Sequence, residues 1–395
     1  MRGRHRGEAV AMLRLLALRA TNVLITVCQG HTSVKSWCGK ALTRLRKRFQ
    51  TSSCNPIEGA SSMSVTIKDV ARAAGVSAST VSRALTAPDL VQPETRVRVE
   101  RAAADLGYRP NRAARGLITG RTGNIGLIVP DLTNPFFPGV VKGVQSRARE
   151  ADFSVFLADT DEDPAVEVGL VQALSKQVDG IVLCAPRMTE EDLRSVVGGT
   201  PMVPMVMLSR KVGRIPSITV DNAEGIRQAV AHLAALGHRR IAYVAGPKLS
   251  WSNRERARAL RVSTATAGLD LVEIGNVAPQ FAGGVAAADL VLAAGVTAVV
   301  AYNDLVALGL LNWFATRGVK VPEAISVVGF DDIVLSQMVS PALTTVAQPH
   351  GQLGRSSVEL LLQLLEDPDR AAVARRELLP QLMVRHSTGP AATSS

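Results

Sequence analysis

Val65-Thr66-Ile67-Lys68-Asp69-Val70-Ala71-Arg72-Ala73-Ala74-Gly75-Val76-Ser77-Ala78-Ser79-Thr80-Val81-Ser82-Arg83-Ala84-Leu85 decides how the front of this chain folds. Ile67, Val70, Ala71 and Ala74 recur at i, i+3, i+4 and i+7, which gives a helix with one apolar face. Thr66 with Asp69 three residues on forms a capping box, with Asp in place of the longer Glu. Gly75 supplies a left-handed turn residue and Val76 packs inward. Ser77 then caps a second helix, Ala78–Thr86, whose inward stripe is Val81, Ala84 and Leu85. Two short helices joined by a glycine turn make a helix-turn-helix over Thr66–Ala87.

The outer face of the second helix carries Ala78, Ser79, Thr80, Ser82 and Arg83. Small side chains let a backbone approach a duplex closely. A guanidinium reaches a guanine edge with two hydrogen bonds, and hydroxyls suit phosphates or bases. The competing reading is an ordinary helical hairpin with a solvated Ser/Thr face. A third helix starts at Pro93, turns Val97, Ala102, Ala103 and Leu106 inward, and ends at Gly107. After Tyr108-Arg109-Pro110, Asn111 caps a short segment with two arginines that ends in Leu117. It is too short to stay helical alone. Either it folds on DNA with Leu117 wedged between base steps in the minor groove, or it is a plain linker.

Working outward, charge is unevenly placed. Residues 1–62 hold 11 Lys/Arg against two acids, residues 63–122 hold 10 against 5, and the remainder hold 24 against 27. A basic front on a mildly acidic body points to nucleic-acid contact by the front, or to a solvated basic face. Arg2, Arg4 and Arg6 before Ala9–Ala20 imitate a secretion signal, but Arg14 and Arg19 interrupt the apolar run. Residues 30–62 show no sustained periodicity, so residues 1–62 are either a disordered extension or an over-called start, with Met63 the true one. No run of 18 apolar residues exists, and no membrane span is expected. Cys28, Cys38, Cys54 and Cys184 fit neither a disulfide framework nor a zinc site. Cys184 reads as a buried thiol, and a reducing cytoplasm fits.

Beyond residue 122, strand-like segments (Asn124–Val129, Ser154–Ala158, Gly180–Leu183, Val203–Leu208, Ile241–Ala245, Thr297–Ala301, Ser326–Gly329) alternate with helical ones (Phe136–Glu150, Ala165–Gln177, Ala223–Leu236, Asp304–Arg317). That alternation predicts parallel α/β architecture, and the length favours two lobes. Ligands of such sheets bind at the carboxyl ends of strands. Polar and aromatic residues gather there: Asn134, Phe136 and Phe137 after the first strand, Asp221 after Ile218-Thr219-Val220, Arg254 after Ile241–Ala245, Asn303 after Val299-Val300-Ala301, and Asp331. Paired carboxamides and carboxylates, an arginine and aromatic walls suit a planar hydroxylated ligand. Each also has a local role open to it: Asn134-Pro135 starts a turn, while Asp221 and Asp304 cap helices.

No catalytic set emerges. His5, His31, His232, His238, His350 and His386 show no Ser-His-Asp or metal-ligand spacing. His232 and His238 read as structural. No metal, cofactor or enzymatic activity is expected. A secreted sugar-binding protein without a DNA role would leave Thr66–Ala87 and Asn111–Leu117 without a purpose, and a sugar-modifying enzyme would lack an acid/base pair in a defensible motif.

Val65–Ala71, Gly75-Val76-Ser77, Thr80-Val81-Ser82-Arg83 and Tyr108-Arg109-Pro110-Asn111 resemble the DNA-binding domain of the lactose-repressor (LacI/GalR) family. The likeness runs on through Asp131–Phe137, Ala245-Gly246-Pro247, Tyr302-Asn303-Asp304, Val328–Asp332 and Leu343–Val346 to about residue 390. The resemblance implies an all-α helix-turn-helix domain (63–110), a hinge (111–122), a two-lobed periplasmic-binding-protein-like α/β domain (123–390) and a tail (391–395). It implies a repressor-type transcription regulator, a homodimer on double-stranded operator DNA, whose affinity is set by a sugar-like effector. Ala78, Ser79 and Arg83 match the major-groove reading positions, Asn111–Leu117 the hinge helix and Leu117 its intercalating leucine. The DNA-facing set is then Thr66, Lys68, Ser77, Ala78, Ser79, Thr80, Ser82, Arg83, Tyr108, Asn111, Arg115 and Leu117. Arg254, Asn303 and Asp331 resemble effector contacts, Phe137 an aromatic wall and Gln348 a further cleft position. Pro349-His350 departs from the pair many members carry. The tail lacks heptads, so the family's tetramerising helix is expected to be missing.

Overall fold

Apolar phase dictates the first unit. A computed structural model of the chain describes residues 65–86, 88–108, 121–198, 203–367 and 374–392. The chain divides into two units, residues 1–108 and 109–395. In the first, α1 (Ile67–Ala74), α2 (Ala78–Thr86), a 3-10 turn (Pro88–Leu90) and α3 (Pro93–Asp105) enclose Val70, Ala74, Val81, Ala84, Val99 and Ala102. The Thr66 N–H and hydroxyl both donate to Asp69 Oδ2, at 3.0 and 2.7 Å. Gly75 takes φ 62°, ψ 37° between α1 and α2, and the Thr80 N–H donates to the Ser77 hydroxyl at 3.1 Å. One expectation fails on α3. Val97 and Leu106 are exposed, and Val99 turns inward instead. With Ala102 and Ala103 fixing the buried phase, Val99 lies at i−3 and i−4 while Val97 falls on another face.

The second unit holds two six-stranded sheets. The first lobe contains β1 (Asn124–Val129), α4 (Phe136–Glu150), β2 (Ser154–Asp159), α5 (Pro164–Leu174), β3 (Gly180–Cys184), α6 (Glu190–Val197), β4 (Met205–Leu208) and β5 (Ser217–Val220). The second contains α7 (Asn222–Ala235), β6 (Arg240–Val244), α8 (Trp251–Ala267), β7 (Asp270–Ile274), α9 (Phe281–Ala293), β8 (Ala298–Ala301), α10 (Asp304–Thr316), β9 (Ser326–Asp331), α11 (Leu335–Met338) and β10 (Thr344–Ala347). The chain then re-enters the first lobe with α12 (His350–Glu366) and β11 (Arg375–Leu378), and closes the second with β12 (Gln381–Met383). Sheet orders are β11-β5-β4-β3-β1-β2 and β12-β10-β9-β8-β6-β7. Among the described residues, only the β10–β12 pair is antiparallel. Central strands such as β3, β4 and β9 are buried throughout, because helices cover both faces. Three crossings join the lobes, at 220–222, 347–350 and 378–381.

Helices α4 and α12 approach backbone to backbone. A Cβ on Gly143 would overlap the Gly351 carbonyl oxygen, and one on Gly354 would overlap that of Val140. Gly354→Ala is therefore expected to cost about 1–3 kcal/mol through overpacking, against the ~1 kcal/mol that alanine gains in an unhindered helix. A urea midpoint that rises would show that the two helices yield at no cost. The C-terminal segment is docked on the second lobe as far as Ala391, whose N–H donates to Leu236 O at 2.8 Å. His238 lies 3.2 Å from Gly389 O and His232 2.9 Å from Thr388 Oγ1. Burial holds both rings below the usual histidine range. Cys184 is buried, its thiol pushed up to about 12.

Candidate functional site

Two surfaces carry the chemistry. On the first unit, Thr66, Lys68, Ser77, Ser79 and Arg83 are exposed, while Ala78, Thr80 and Ser82 are half-buried along α2. Ser77 Oγ lies 2.7 Å from Ser79 Oγ and 2.8 Å from Thr80 Oγ1, so the cap and the outer hydroxyls form one cluster. Arg83 projects from the last turn of α2. Tyr108 packs against the three-helix core. Asn111, Arg115 and Leu117 lie outside the described residues.

The second surface is a cleft between the lobes, at the carboxyl ends of the strands. Asn134, Phe136, Phe137, Asn303, Asp331 and Gln348 all line it. Phe136 and Phe137 meet edge to face at 5.1 Å, a wall against which a ring can stack. Asn134 Oδ1 accepts from Phe136 N–H at 3.1 Å, and Asn303 caps α10 through Val306 N–H at 2.9 Å. Asp331 Oδ1 accepts from Gln348 Nε2 at 2.6 Å. Behind it, Asp304 accepts from Ile333 N–H, Ser336 and Thr345, which pins the loop after β9.

Asp221 and Arg254, also expected in the cleft, are not among its lining residues. Asp221 caps α7, accepting from Glu224 N–H at 2.9 Å. Arg254 is exposed, its guanidinium 3.4 Å from Leu249 O. Arg256 takes the place expected of it. This side chain is 4% exposed; it donates to Asn222 Oδ1 (2.9 Å) and Tyr302 O (2.5 Å), lies over Phe330, and sits 3.8 Å from Asp331 Oδ1. A legible signal existed. Ser252, Asn253, Arg256, Ala257 and Leu260 form the buried face of α8, and Arg254 is turned about 200° from Ser252 at ~100° per residue.

The first lobe adds residues that the sequence did not single out: Glu162, Arg187 and Ser209. Arg187 grips Glu162 through Nε (2.5 Å) and Nη2 (2.8 Å). The loop carrying Arg187 is held by buried Glu167, which accepts both Arg187 N–H (2.9 Å) and Met188 N–H (2.8 Å). Burial raises the Glu167 carboxyl and those two bonds oppose the rise. The Ser209 hydroxyl is buried without a hydrogen-bond partner. Backbone strain collects at the same place. Asp161, Glu162, Ala185, Ser209, Asp331 and Asp332 all have positive φ, between 45° and 125°, and all follow or end strands that face the cleft. The cavity measures about 30 Å³, room for a water or two. A ring-sized molecule needs more room than this, which parting of the lobes or movement of the two arginines would supply.

Burial pushes the Asp331 carboxyl up from 3.8 to about 8, although Arg256 pulls the other way. The folded state thus keeps a proton that the unfolded state releases between about pH 4 and 8, and this group lowers stability as pH rises through that window. Asp331→Asn is expected to flatten the decline in melting temperature between pH 5 and 8. An unchanged slope would assign the decline to other groups.

Residues 66–111 match the bacterial regulatory proteins, lacI family, and residues 230–388 the periplasmic binding protein-like domain. The chain is 32% identical over 335 residues to the HTH-type transcriptional regulator DegA of Bacillus subtilis (strain 168), covering 83% of this chain and 99% of that protein. The chain belongs to the lacI family of bacterial regulatory proteins. Among solved structures, this lacI-family chain is similar to the lac repressor dimer bound to operator and the anti-inducer ONPF (TM-score 0.74, 32% identity, 82% of this chain and 99% of that one). It is also similar to the transcriptional regulator CelR in its cellobiose complex (TM-score 0.62, 32% identity, 82% and 99%). A lacI-family helix-turn-helix joined to a periplasmic-binding-protein-like body makes it a DNA-binding regulator of transcription. Among the described residues, no helix is long and apolar enough to cross a membrane, and no cluster of His, Cys, Asp and Glu has metal-holding geometry.

Proposed function

We propose that the chain acts in the cytoplasm as a homodimeric repressor whose operator affinity is set by a sugar bound between the lobes, without enzymatic activity. The observation that carries this reading is the pairing of one guanidinium with one carboxyl group on each side of the cleft. Arg256 stands with Asp331 on the second lobe, and Arg187 with Glu162 on the first. With Asn134, Asn303 and the Phe136–Phe137 wall, such pairs bind vicinal hydroxyls and stack a sugar ring. Ligand closure draws on both lobes at once, which makes lobe angle a function of occupancy. The operator, dimer and sugar in the similar structures support the same assignment.

In this reading residues 63–110 are the DNA-binding domain, 111–122 the hinge and 123–390 the effector and dimerisation domain. Lys68, the Ser77–Arg83 face and Tyr108 contact DNA, while Asn111, Arg115 and Leu117 act in the central minor groove. A gel shift on the DNA upstream of the protein's own gene, at stated salt, with and without a panel of sugars, is the test. The expected result is a sequence-specific complex whose affinity one sugar shifts. Binding with no preference over random DNA would remove the regulator reading, and a specific complex that no sugar shifts would remove the effector.

A further inference from the structure

Helices α4 and α12 both start at the cleft. Phe136 opens α4 and His350 opens α12, and their rings meet edge to face at 4.9 Å. His350 Nε2 donates to the backbone carbonyl of Asp331 at 2.6 Å, and Gln348 holds the Asp331 carboxylate. A second-lobe residue in the cleft wall is thereby tied to the first turn of a first-lobe helix. From there the two helices run interlocked, because Gly143 meets Gly351, and Gly354 meets Val140, without room for a Cβ. Neither can slide along the other without collision. Arg355, in the second turn of α12, bridges to both carboxylate oxygens of Glu150, the last residue of α4, at 2.7 and 2.9 Å. The 17 residues of α12 span about 25 Å at 1.5 Å per residue.

At the last turn of α12, Arg121 Nη2 donates to the Leu365 carbonyl at 2.8 Å. Arg121 is the first described residue after the segment 109–120. Its neighbours are fastened elsewhere: Thr122 N–H and hydroxyl and Gly123 N–H all donate to the Asp179 carboxylate, at 2.6, 2.9 and 2.8 Å. Two anchors therefore hold the entry of the linker into the body. One is fixed to the sheet of the first lobe through Asp179, ahead of β3. The other is fixed to the helix that begins in the cleft.

We propose that Arg121 is a positioning residue that delivers the state of the cleft to the linker, with the interlocked α4–α12 pair as the rigid bar between them. The inference rests on the reading above, in which lobe closure sets operator affinity. A coupling of this kind requires a contact whose strength differs between the two states. The Arg121–Leu365 bond is placed to be that contact, since it joins the helix that begins in the cleft to the chain leading to the DNA-binding unit.

The test needs no identified effector. Ser252 Oγ of one lobe lies 3.4 Å from the Ser209 carbonyl of the other, so the two positions face each other across the cleft, and Ser209→Cys with Ser252→Cys, in full-length chain with Cys28, Cys38 and Cys54 changed to serine, is oxidised to bridge the lobes. Thiol titration confirms the lock. Operator affinity on the upstream DNA is then compared between oxidised and reduced protein. The ratio is expected to reach tenfold with Arg121 present and to fall below twofold in Arg121→Ala. Asp179→Ala, which loosens the same entry without touching α12, should keep most of it. A full ratio in Arg121→Ala overturns the proposal, and so does equal collapse in Asp179→Ala. No ratio with Arg121 present would instead count against the effector reading on which it rests.

Discussion

Arg83→Ala is expected to lower affinity for the specific operator by about 5- to 150-fold for each half-site, the ~1–3 kcal/mol that a bidentate arginine–guanine contact discriminates. A two-headed dimer reads two such sites, so the combined loss is about 2–6 kcal/mol. Nothing in the fold should change. Arg83 is exposed on the last turn of α2, and no described residue depends on it for a hydrogen bond or ion pair. Its neighbours on the reading face are alanine, serine and threonine. In the proposed reading these make close approach easy and supply few directional contacts, so discrimination is expected to fall on this one guanidinium. Titrations on specific and random DNA at two salt concentrations separate the readings. A base contact loses specificity and leaves the salt slope nearly intact. Equal losses on both DNAs would demote Arg83 to a phosphate contact.

Arg256→Ala is expected to abolish sugar-induced thermal stabilisation, with an affinity loss of about 100-fold or more, two charge-assisted hydrogen bonds at ~1.5–3 kcal/mol each. Arg254→Ala should leave that response unchanged, which makes the pair a direct test of the buried face of α8. Arg256→Ala also has a structural cost. Asn222 Oδ1 and Tyr302 O lose a buried donor, and Asp331 loses its cation. Breaking a buried ion pair from one side ordinarily costs about 3–5 kcal/mol. Here the carboxyl that remains has a proton affinity already pushed up to about 8. At pH 7 it is neutralised at little further expense, so a loss near the lower end is expected. Urea unfolding at pH 6 and pH 9 checks this, since the Arg256→Ala penalty should grow once Asp331 must ionise. A penalty independent of pH would mean that the Asp331 charge does not depend on Arg256.

Much of the fold was legible because its signals are local. The boundaries of α1 follow from Thr66, Asp69 and Gly75, whose capping and left-handed geometry depend only on near neighbours. The helix Phe136–Glu150 and the strand Asn124–Val129 have the bounds that their apolar runs and flanking Pro130 and Asn134-Pro135 predict. The α3 register was missed where periodicity is ambiguous, since Val97 and Val99 are equally apolar and only packing against α1 and α2 selects one. The same error of two residues separated Arg254 from Arg256. A motif match carries an arginine to a neighbourhood, and the phase of a helix against its sheet decides which one is buried.

Glu162, Arg187 and Ser209 had no signal in the chain at all. They lie at the ends of β2, β3 and β4, far apart in sequence, and converge because parallel strands of one sheet deliver their carboxyl ends to one edge. Their strained backbones and the Glu167 brace exist only once that edge is assembled. Arg121 is a similar case, an ordinary linker arginine until the last turn of α12 is brought beside it. The sequence by itself determined the helix-turn-helix at Thr66–Ala87, the alternating strands and helices, and the polar positions after the first strand, after β8 and at the end of β9, because caps, turns and periodicity are short-range. Tertiary structure alone decided which arginine faces the cleft, what the first lobe contributes to it, and how the cleft connects to residue 121, because burial and contact across hundreds of residues are properties of the packed molecule.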